Sequence, residues 1–204
     1  MIRDTFYDIL NSAWPSLVIF LTLIILVRMA YLTSTNSKIV IYKELYMLLF
    51  VAYILMLFEL VTYSDISLGH ANFVPFKEIL RYKIGSSSFN NQVLGNILLF
   101  VPFGYFVSSI TKIKRVPGIL AISTIASAVI EIVQYFIGRS FDIDDIILNV
   151  VGATIGFLLY IGISAIWDHL PKLFRRDWFL NLVIIVIIVV VILYLTNKLS
   201  LGWL

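Results

Sequence analysis

Residues 179–196 read FLNLVIIVIIVVVILYLT, a stretch that contains no charged side chain. A helix needs roughly 20 mostly apolar residues to cross the hydrocarbon core of a bilayer, which is about 30 Å thick. Inside lipid, no water is available to the backbone, so a single segment satisfies its own N–H and C=O groups only as a helix. The stretch therefore predicts a transmembrane α-helix.

Five further segments have the same character, and the composition of the whole chain agrees with them. They are residues 13–32, 44–63, 92–110, 118–137 and 145–166. Of the 204 residues, 61% are hydrophobic and 13% are charged, whereas a soluble domain has about 45–50% apolar and about 25% charged residues. We therefore expect an all-α, polytopic membrane helical bundle of about six transmembrane helices, forming a single membrane domain over residues 1–204.

The composition also excludes several classes of site. The chain has no cysteine, so it has no disulfide framework, no thiol nucleophile and no cysteine-bound zinc. Its basic residues form short clusters between apolar runs, a pattern that encodes membrane topology. We expect no nucleic-acid partner, no metal and no cofactor.

The distribution of lysine and arginine predicts the orientation of the chain. One face carries nine of them: Arg28, Lys38, Lys43, Lys112, Lys114, Arg115, Lys172, Arg175 and Arg176. The other face carries six: Arg3, Lys77, Arg81, Lys83, Arg139 and Lys198. Because cytoplasmic loops are enriched in these residues, we expect the first face to be cytoplasmic, with both termini outside the cell membrane.

Four polar side chains lie within the predicted spans, each near one end. Glu59 and Glu131 come late in their spans, whereas Asn96 and Asn149 come early in theirs. Successive spans run in opposite directions, so all four fall toward the same face, about 6–9 Å inside the apolar boundary. The loops on that face add His70, Asn72, Arg139, Asp142, Asp144 and Asp145. Polar groups at this depth usually face the bundle interior or a wet cavity, so we expect an outward-facing polar pocket.

Residues 131–156 hold the densest pattern. Glu131 and Gln134 are three apart and share one helix face. A second stripe, with spacings of 3, 4, 3 and 4, consists of Asp142, Asp145, Asn149, Gly152 and Gly156. Its glycines are spaced for close helix packing, and Ser123 and Ser127, with the same spacing, are a plausible partner.

Residues 75–84, PFKEILRYKI, predict a short amphipathic helix that lies in the membrane interface on the pocket side. Phe76, Ile79, Leu80 and Ile84 would form its apolar face. Basic side chains occupy much of the rest, and proline suits the first position of a helix. The helix would act as a lid or as a contact for anionic headgroups, or it would be only a surface helix with snorkelling lysines.

Three motifs in this order resemble the VanZ-like family: residues 72–76 (NFVPF), residues 94–104 (LGNILLFVPFG) and the stretch 131–156. The resemblance covers about residues 46–165, flanked by the spans 13–32 and 179–196. It implies a small polytopic membrane protein whose relatives raise tolerance to teicoplanin and related lipoglycopeptides. It also implies these positions of interest: Asn72, Pro75, Asn96, Pro102, Gly104, Glu131, Gln134, Arg139, Asp142, Asp145, Asn149 and Gly152. Asp144 and His70 lie outside the pattern.

The leading functional hypothesis is a pocket that binds or modifies an envelope lipid or glycolipid and thereby lowers glycopeptide and lipoglycopeptide susceptibility. A lipid-processing enzyme and a small transporter are the alternatives, and the residues do not decide whether there is turnover. Candidate catalytic residues are Glu131, Arg139, Asp142 and Asp145; candidate lipid-binding residues are Asn72, Asn96, Gln134 and Asn149.

Each candidate also has a purely structural interpretation. Glu131 is suited to a hydrogen bond across helices, and the two asparagines to helix–helix contacts. Arg139 is placed for a loop ion pair with Asp142 or Asp145. The partner that we expect in the functional case is a membrane lipid or a lipid-linked envelope precursor.

Overall fold

The structure, a computed structural model, describes residues 2–62 and 71–201, and the side chains within 14–62, 71–194 and 196. His70 lies outside the described residues. Six helices in the described part are long and apolar enough to cross a membrane. This confirms the all-α polytopic class predicted from the sequence.

The six helices extend beyond most of the predicted spans. They are α1 (Ile2–Ser34), α2 (Ile41–Thr62), α5 (Gly95–Thr111), α6 (Val116–Phe136), α7 (Ile143–His169) and α8 (Asp177–Leu201). Two short helices, α3 (Lys77–Arg81) and α4 (Ser87–Phe89), come between α2 and α5. A π-helical turn, Asn90–Leu94, joins α4 to α5, so that one helical segment runs from Ser87 to Thr111.

Two short strands were not predicted from the sequence. β1 (Ala71–Asn72) pairs in parallel with β2 (Phe141–Asp142), with Ala71 opposite Phe141 and Asn72 opposite Asp142. A two-residue strand has no hydrophobic alternation to read, so periodicity alone does not detect it. The pair brings the connection after α2 next to the residues that precede α7.

The chain divides into two compact units. One consists of the described residues within 1–18 and 52–165, and the other of those within 19–51 and 166–204. The core of the first unit is formed by Leu57, Val61, Phe100, Phe103, Ile119, Ala153 and Phe157. In the second unit, Arg28 donates two hydrogen bonds to Glu44, at 2.8 and 3.0 Å, and Tyr42 donates through its hydroxyl to Asp177 at 2.9 Å. The single domain expected from the sequence stays a prediction.

Glycines bring α5 and α7 into backbone contact within the first unit. A Cβ on Gly152 would overlap the carbonyl oxygen of Ile97, and one on Gly156 would overlap that of Val101. On the α5 side of the same contact, a Cβ on Gly104 would overlap the carbonyl of Ala153 in α7. The close-packing role predicted for Gly152 and Gly156 is therefore confirmed.

The predicted partner of these glycines was wrong, because they face α5 and not Ser123 and Ser127 of α6. Ser123 Oγ donates to the carbonyl of Ile119 on its own helix, at 2.7 Å. Ser127 Oγ instead accepts a hydrogen bond from Asn149 Nδ2, at 2.8 Å. Small residues at helical spacing indicate a close approach but do not specify which helix approaches.

Candidate functional site

The paired strands place two predicted residues in direct contact. Asn72 Nδ2 donates to Asp142 Oδ1 at 2.9 Å, across the β1–β2 pair. The rings of Phe73 and Phe141 pack beside this bond with centroids 5.1 Å apart. Asn72 and Asp142 are 70 positions apart in the sequence, so only the folded chain brings them together.

Asp144, which the family pattern left out, holds the segment that follows β1. Its side chain is 1% exposed. Its Oδ1 accepts the backbone N–H of Phe76, and its Oδ2 accepts those of Glu78 and Ile79 at 2.8 and 3.2 Å. Phe76 takes a left-handed conformation, with φ of 65°, and this starts α3 at Lys77. The helix predicted over 75–84 is therefore reduced to the five residues Lys77–Arg81.

A cavity of about 620 Å³ opens beside these two segments. Five of the predicted residues line it: Asn72, Gln134, Arg139, Asp142 and Asp145. Residues that the sequence analysis did not assign to the pocket also line it, among them Lys77, Glu78, Arg81, Tyr82, Gln92 and Ser140. The lining comes from both sides of the strand pair and from the ends of α6 and α7.

Arg139 lies in the wall of the cavity and is held there by hydrogen bonds to two uncharged oxygen atoms. Its Nη1 donates to the carbonyl of Val61 at 2.8 Å. The groups around Gln134 favour the amide orientation in which Oε1 accepts from the same Nη1, at 2.7 Å, and Nε2 donates to Glu131 Oε1, at 2.9 Å. Among the described residues, Arg139 makes no ion pair with Asp142 or Asp145 within 4.0 Å. The loop ion pair considered from the sequence is therefore not formed.

Glu131 lies behind the cavity wall and does not line it. It is 1% exposed, and its Oε2 accepts the backbone N–H of Asp142 at 2.9 Å. With the Gln134 amide on its other oxygen, Glu131 connects the end of α6 to β2. This arrangement suits a residue that positions Asp142, because a reacting group would have to reach the cavity itself.

Asn96 and Asn149 also lie outside the cavity lining. Asn96 Nδ2 donates to Asp145 Oδ1 and so supports a carboxylate that does line it. Asn149 is buried one helical turn beyond Asp145 on α7. Its Nδ2 donates to Ser127, and its Oδ1 has no hydrogen-bond partner among the described residues. Glu59 accepts a hydrogen bond from Ser16 at 2.8 Å and does not line the cavity. None of the four polar side chains that lie within the predicted spans therefore lines the cavity.

The cavity carries charges of both signs. Glu78, Asp142, Asp144 and Asp145 contribute carboxylates, and Lys77, Arg81 and Arg139 contribute cations. Burial raises the pKa of the Asp142 carboxyl, and the hydrogen bonds from the Asp144 N–H and from Asn72 oppose that rise. Burial also raises the pKa of the Tyr82 phenol. Within the described residues, no group of three or more His, Asp or Glu side chains is arranged to hold a metal ion.

A family model described as VanZ/LLP1 matches residues 44–168. The chain belongs to this VanZ-like family. The match confirms the resemblance found in the three motifs, and it includes every residue of the cavity lining. Neither the curated proteins nor the solved structures with which the chain was compared gave a match.

The sequence placed Asp144 in a loop on the pocket face, but Asp144 was not made a candidate site residue because it lies outside the family pattern. One local signal was present, since Asp144 occupies the first turn of α7, where a carboxylate is favourable beside the helix N-terminus. That signal does not reveal the real partners of Asp144, which lie 65 to 68 positions earlier in the chain.

Proposed function

We propose that this VanZ-like membrane protein binds the anionic headgroup of an envelope lipid in the cavity, on the outer side of the membrane. Binding or modifying this lipid would lower susceptibility to glycopeptide and lipoglycopeptide antibiotics. The observation that carries the proposal is the setting of Arg139, a cation in the wall of a polar cavity whose anchoring contacts are to neutral oxygens.

The guanidinium of Arg139 retains donors for a ligand. Both anchoring contacts use Nη1, and Nε and Nη2 make no hydrogen bond to the described residues. Arginine presents five N–H donors in a rigid fork that matches phosphate and carboxylate. An anionic headgroup would satisfy the remaining donors.

The rest of the lining suits the uncharged part of a headgroup. Asp142 and Asp145 accept hydrogen bonds from hydroxyl groups or amines, and Asn72, Gln92 and Tyr82 supply further polar contacts. The volume of about 620 Å³ lies within the range of about 300–1,000 Å³ that is usual for small-molecule sites. A phosphate-bearing glycolipid or a lipid-linked envelope precursor fits this combination.

A lipid-processing enzyme is the second candidate. It is favoured by one observation, that Arg139, Asp142 and Asp145 line the same cavity. The raised pKa of Asp142 would help this carboxyl to act as a proton donor. The two candidates differ in turnover: an enzyme would change the mass of the lipid that it binds.

The test compares the Arg139→Lys variant with the wild-type protein. Lysine keeps the positive charge but lacks the planar, forked arrangement of N–H donors. Hydrogen bonds to charged groups contribute about 1.5–3 kcal/mol, so we expect co-purified lipid to fall by about tenfold or more. We expect antibiotic tolerance to fall with it, and membrane abundance and melting temperature are measured alongside to separate loss of binding from loss of the Arg139 contacts to Val61 and Gln134. Lipid extracted with the purified protein is identified and quantified by mass spectrometry.

Arg115→Lys is the matched control, because Arg115 precedes α6 at the end of that helix away from the cavity. It should leave both lipid content and tolerance at the wild-type level. Full lipid content and full tolerance in Arg139→Lys at equal abundance would refute headgroup binding by Arg139.

A further inference from the structure

Five apolar side chains outside the membrane-length helices are exposed beside the cavity. Leu80 and Ile84 are 82% and 87% exposed, and Phe73 is 68% exposed. Val74 and Phe76 are also exposed. Lipid would cover the exposed apolar residues of the six long helices. These five residues belong to the connection before α4, so a separate explanation is needed for what shields them from water.

The connection is tied to the membrane boundary at both ends. At one end, β1 pairs with β2, which directly precedes the first residue of α7, Ile143. At the other end, Ile84 comes three residues before Ser87, where the next membrane-length helical segment begins. The five apolar side chains therefore belong to a segment that is anchored at both ends beside the ends of membrane-length helices.

Buried hydrogen bonds hold these side chains in their exposed positions. The carboxylate of Asp144 accepts the N–H groups of Phe76, Glu78 and Ile79. Asn72 is bonded to Asp142 on the other side of the pair. The backbone from Asn72 to Ile79 is therefore held by the carboxylates of Asp142 and Asp144, and Leu80 follows directly after it.

Charge complementarity indicates what covers the segment. Lys77, Arg81 and Lys83 alternate with the apolar residues, and all three are exposed. Glu78 is the single acidic residue between Phe73 and Ile84, and it pairs with Arg81 at 3.1 Å. Apolar side chains interleaved with basic ones are typical of segments that lie in the interface of an anionic bilayer.

We infer that residues 73–84 form a rim that inserts into the outer face of an anionic bilayer and opens the cavity sideways toward lipid headgroups. Leu80, Ile84 and the phenylalanines enter the acyl boundary, and the lysines contact lipid phosphates. The side entrance rests on the proposed function, since it gives a lipid a path that leaves its acyl chains in the membrane. The insertion itself is measurable without any headgroup ligand.

The experiment measures how deeply single labels lie in the bilayer. Each label can be placed at one position because the chain has no cysteine of its own. Leu80→Cys and Ile84→Cys each receive an environment-sensitive fluorophore, and Lys83→Cys is the matched control on the same segment. The full chain is reconstituted in vesicles of phosphatidylcholine with phosphatidylglycerol. Quenching by lipids that carry a spin label on the upper part of the acyl chain is compared with quenching by aqueous iodide.

We expect the labels at 80 and 84 to be quenched several-fold more by the spin-labelled lipid than the label at 83, and several-fold less by iodide. Equal iodide quenching at all three positions would overturn the inference. Protection from both quenchers would overturn it too, since that result indicates a covering protein, such as a second copy of the chain. Lipid content in the Arg139→Lys variant reports on the proposed function separately, so the two failures are distinguishable.

Discussion

Asp144 is a buried carboxylate that is satisfied mainly by the backbone. Its two oxygens accept three N–H groups from a segment more than 60 positions earlier in the chain. Its own N–H donates to Asp142 Oδ1 at 2.9 Å. One residue thus links the rim, the strand pair and the start of α7, through its side chain and its backbone N–H.

Asp144→Asn should loosen the rim. An amide has a single acceptor oxygen, and its NH2 group would face N–H donors, so at least one buried N–H loses its partner at a cost of about 1–3 kcal/mol. We expect trypsin to cleave after Lys77, Arg81 or Lys83 about tenfold faster in the variant, in detergent. Asp168→Asn, an exposed change on the same helix, is the control and should cleave at the wild-type rate. Equal cleavage in both variants would show that Asp144 does not hold the rim.

The buried carboxyl of Asp142 should make the stability of the folded protein depend on pH. Its pKa is raised above the ordinary value of 3.8 because burial disfavours the charged form. An acid whose pKa is raised by folding stabilises the fold fully below its unfolded pKa, and this contribution is lost as the pH rises through the folded pKa. As the pH rises from about 3.8 toward neutral, wild type should lose stability relative to Asp142→Asn, which stays neutral.

The measurement is the melting temperature of both proteins at each pH. The informative quantity is the difference between them, because the other carboxylates titrate in both. A difference that stays constant over this pH range would contradict the prediction.

At the scale of elements, the α5–α7 contact depends on the absence of side chains. Gly152 and Gly156 face the backbone of α5, and Gly104 faces the backbone of α7. Neither helix has a flexible side chain at these points that could move aside. Even one added methyl group must push the two helices apart.

Gly152→Ala should therefore destabilise the protein by about 1–3 kcal/mol, the usual cost of overpacking a core. Gly162→Ala on the same helix is the matched control, since a Cβ there meets nothing within 4 Å. Alanine is the better helix former by about 0.5–1 kcal/mol, so the control should be neutral or slightly more stable. Thermal unfolding in detergent gives both values. An unfolding temperature for Gly152→Ala at or above that of the control would refute the contact.

At the scale of the whole molecule, the orientation of the chain decides which side of the membrane the cavity faces. The lysine and arginine distribution favours the outer side, and the proposed role in antibiotic susceptibility needs that side. Ser87 and Ser140 are exposed at the cavity end, and Lys114 is exposed in the connection between α5 and α6.

Single cysteines at these three positions test the orientation in intact cells. We expect an impermeant thiol reagent to label Ser87→Cys and Ser140→Cys, whereas Lys114→Cys should react only after the cells are permeabilised. The reverse pattern would place the cavity in the cytoplasm and remove the model in which it acts on an outer-leaflet lipid.

The local part of this architecture was predictable from the sequence. Span length, the 3-and-4 spacing from Asp142 to Gly156 and the three family motifs are properties of contiguous residues. They were sufficient for the six helices, the family and the region of the cavity. Gln134 and Arg139 were assigned to the pocket from local sequence, since Gln134 lies in the last turn of α6 and Arg139 comes three residues after its end.

Only the tertiary structure decided which segments meet. The pairing of Asn72 with Asp142, the three N–H partners of Asp144 and the choice of α5 as the partner of Gly152 each join distant parts of the chain. It also separated Asn72, Arg139, Asp142 and Asp145, which line the cavity, from Glu131, Asn96 and Asn149, which lie behind it. The physical reason is that helical periodicity tells which face of a helix is polar or small, whereas the identity of the neighbour depends on how all the faces pack together.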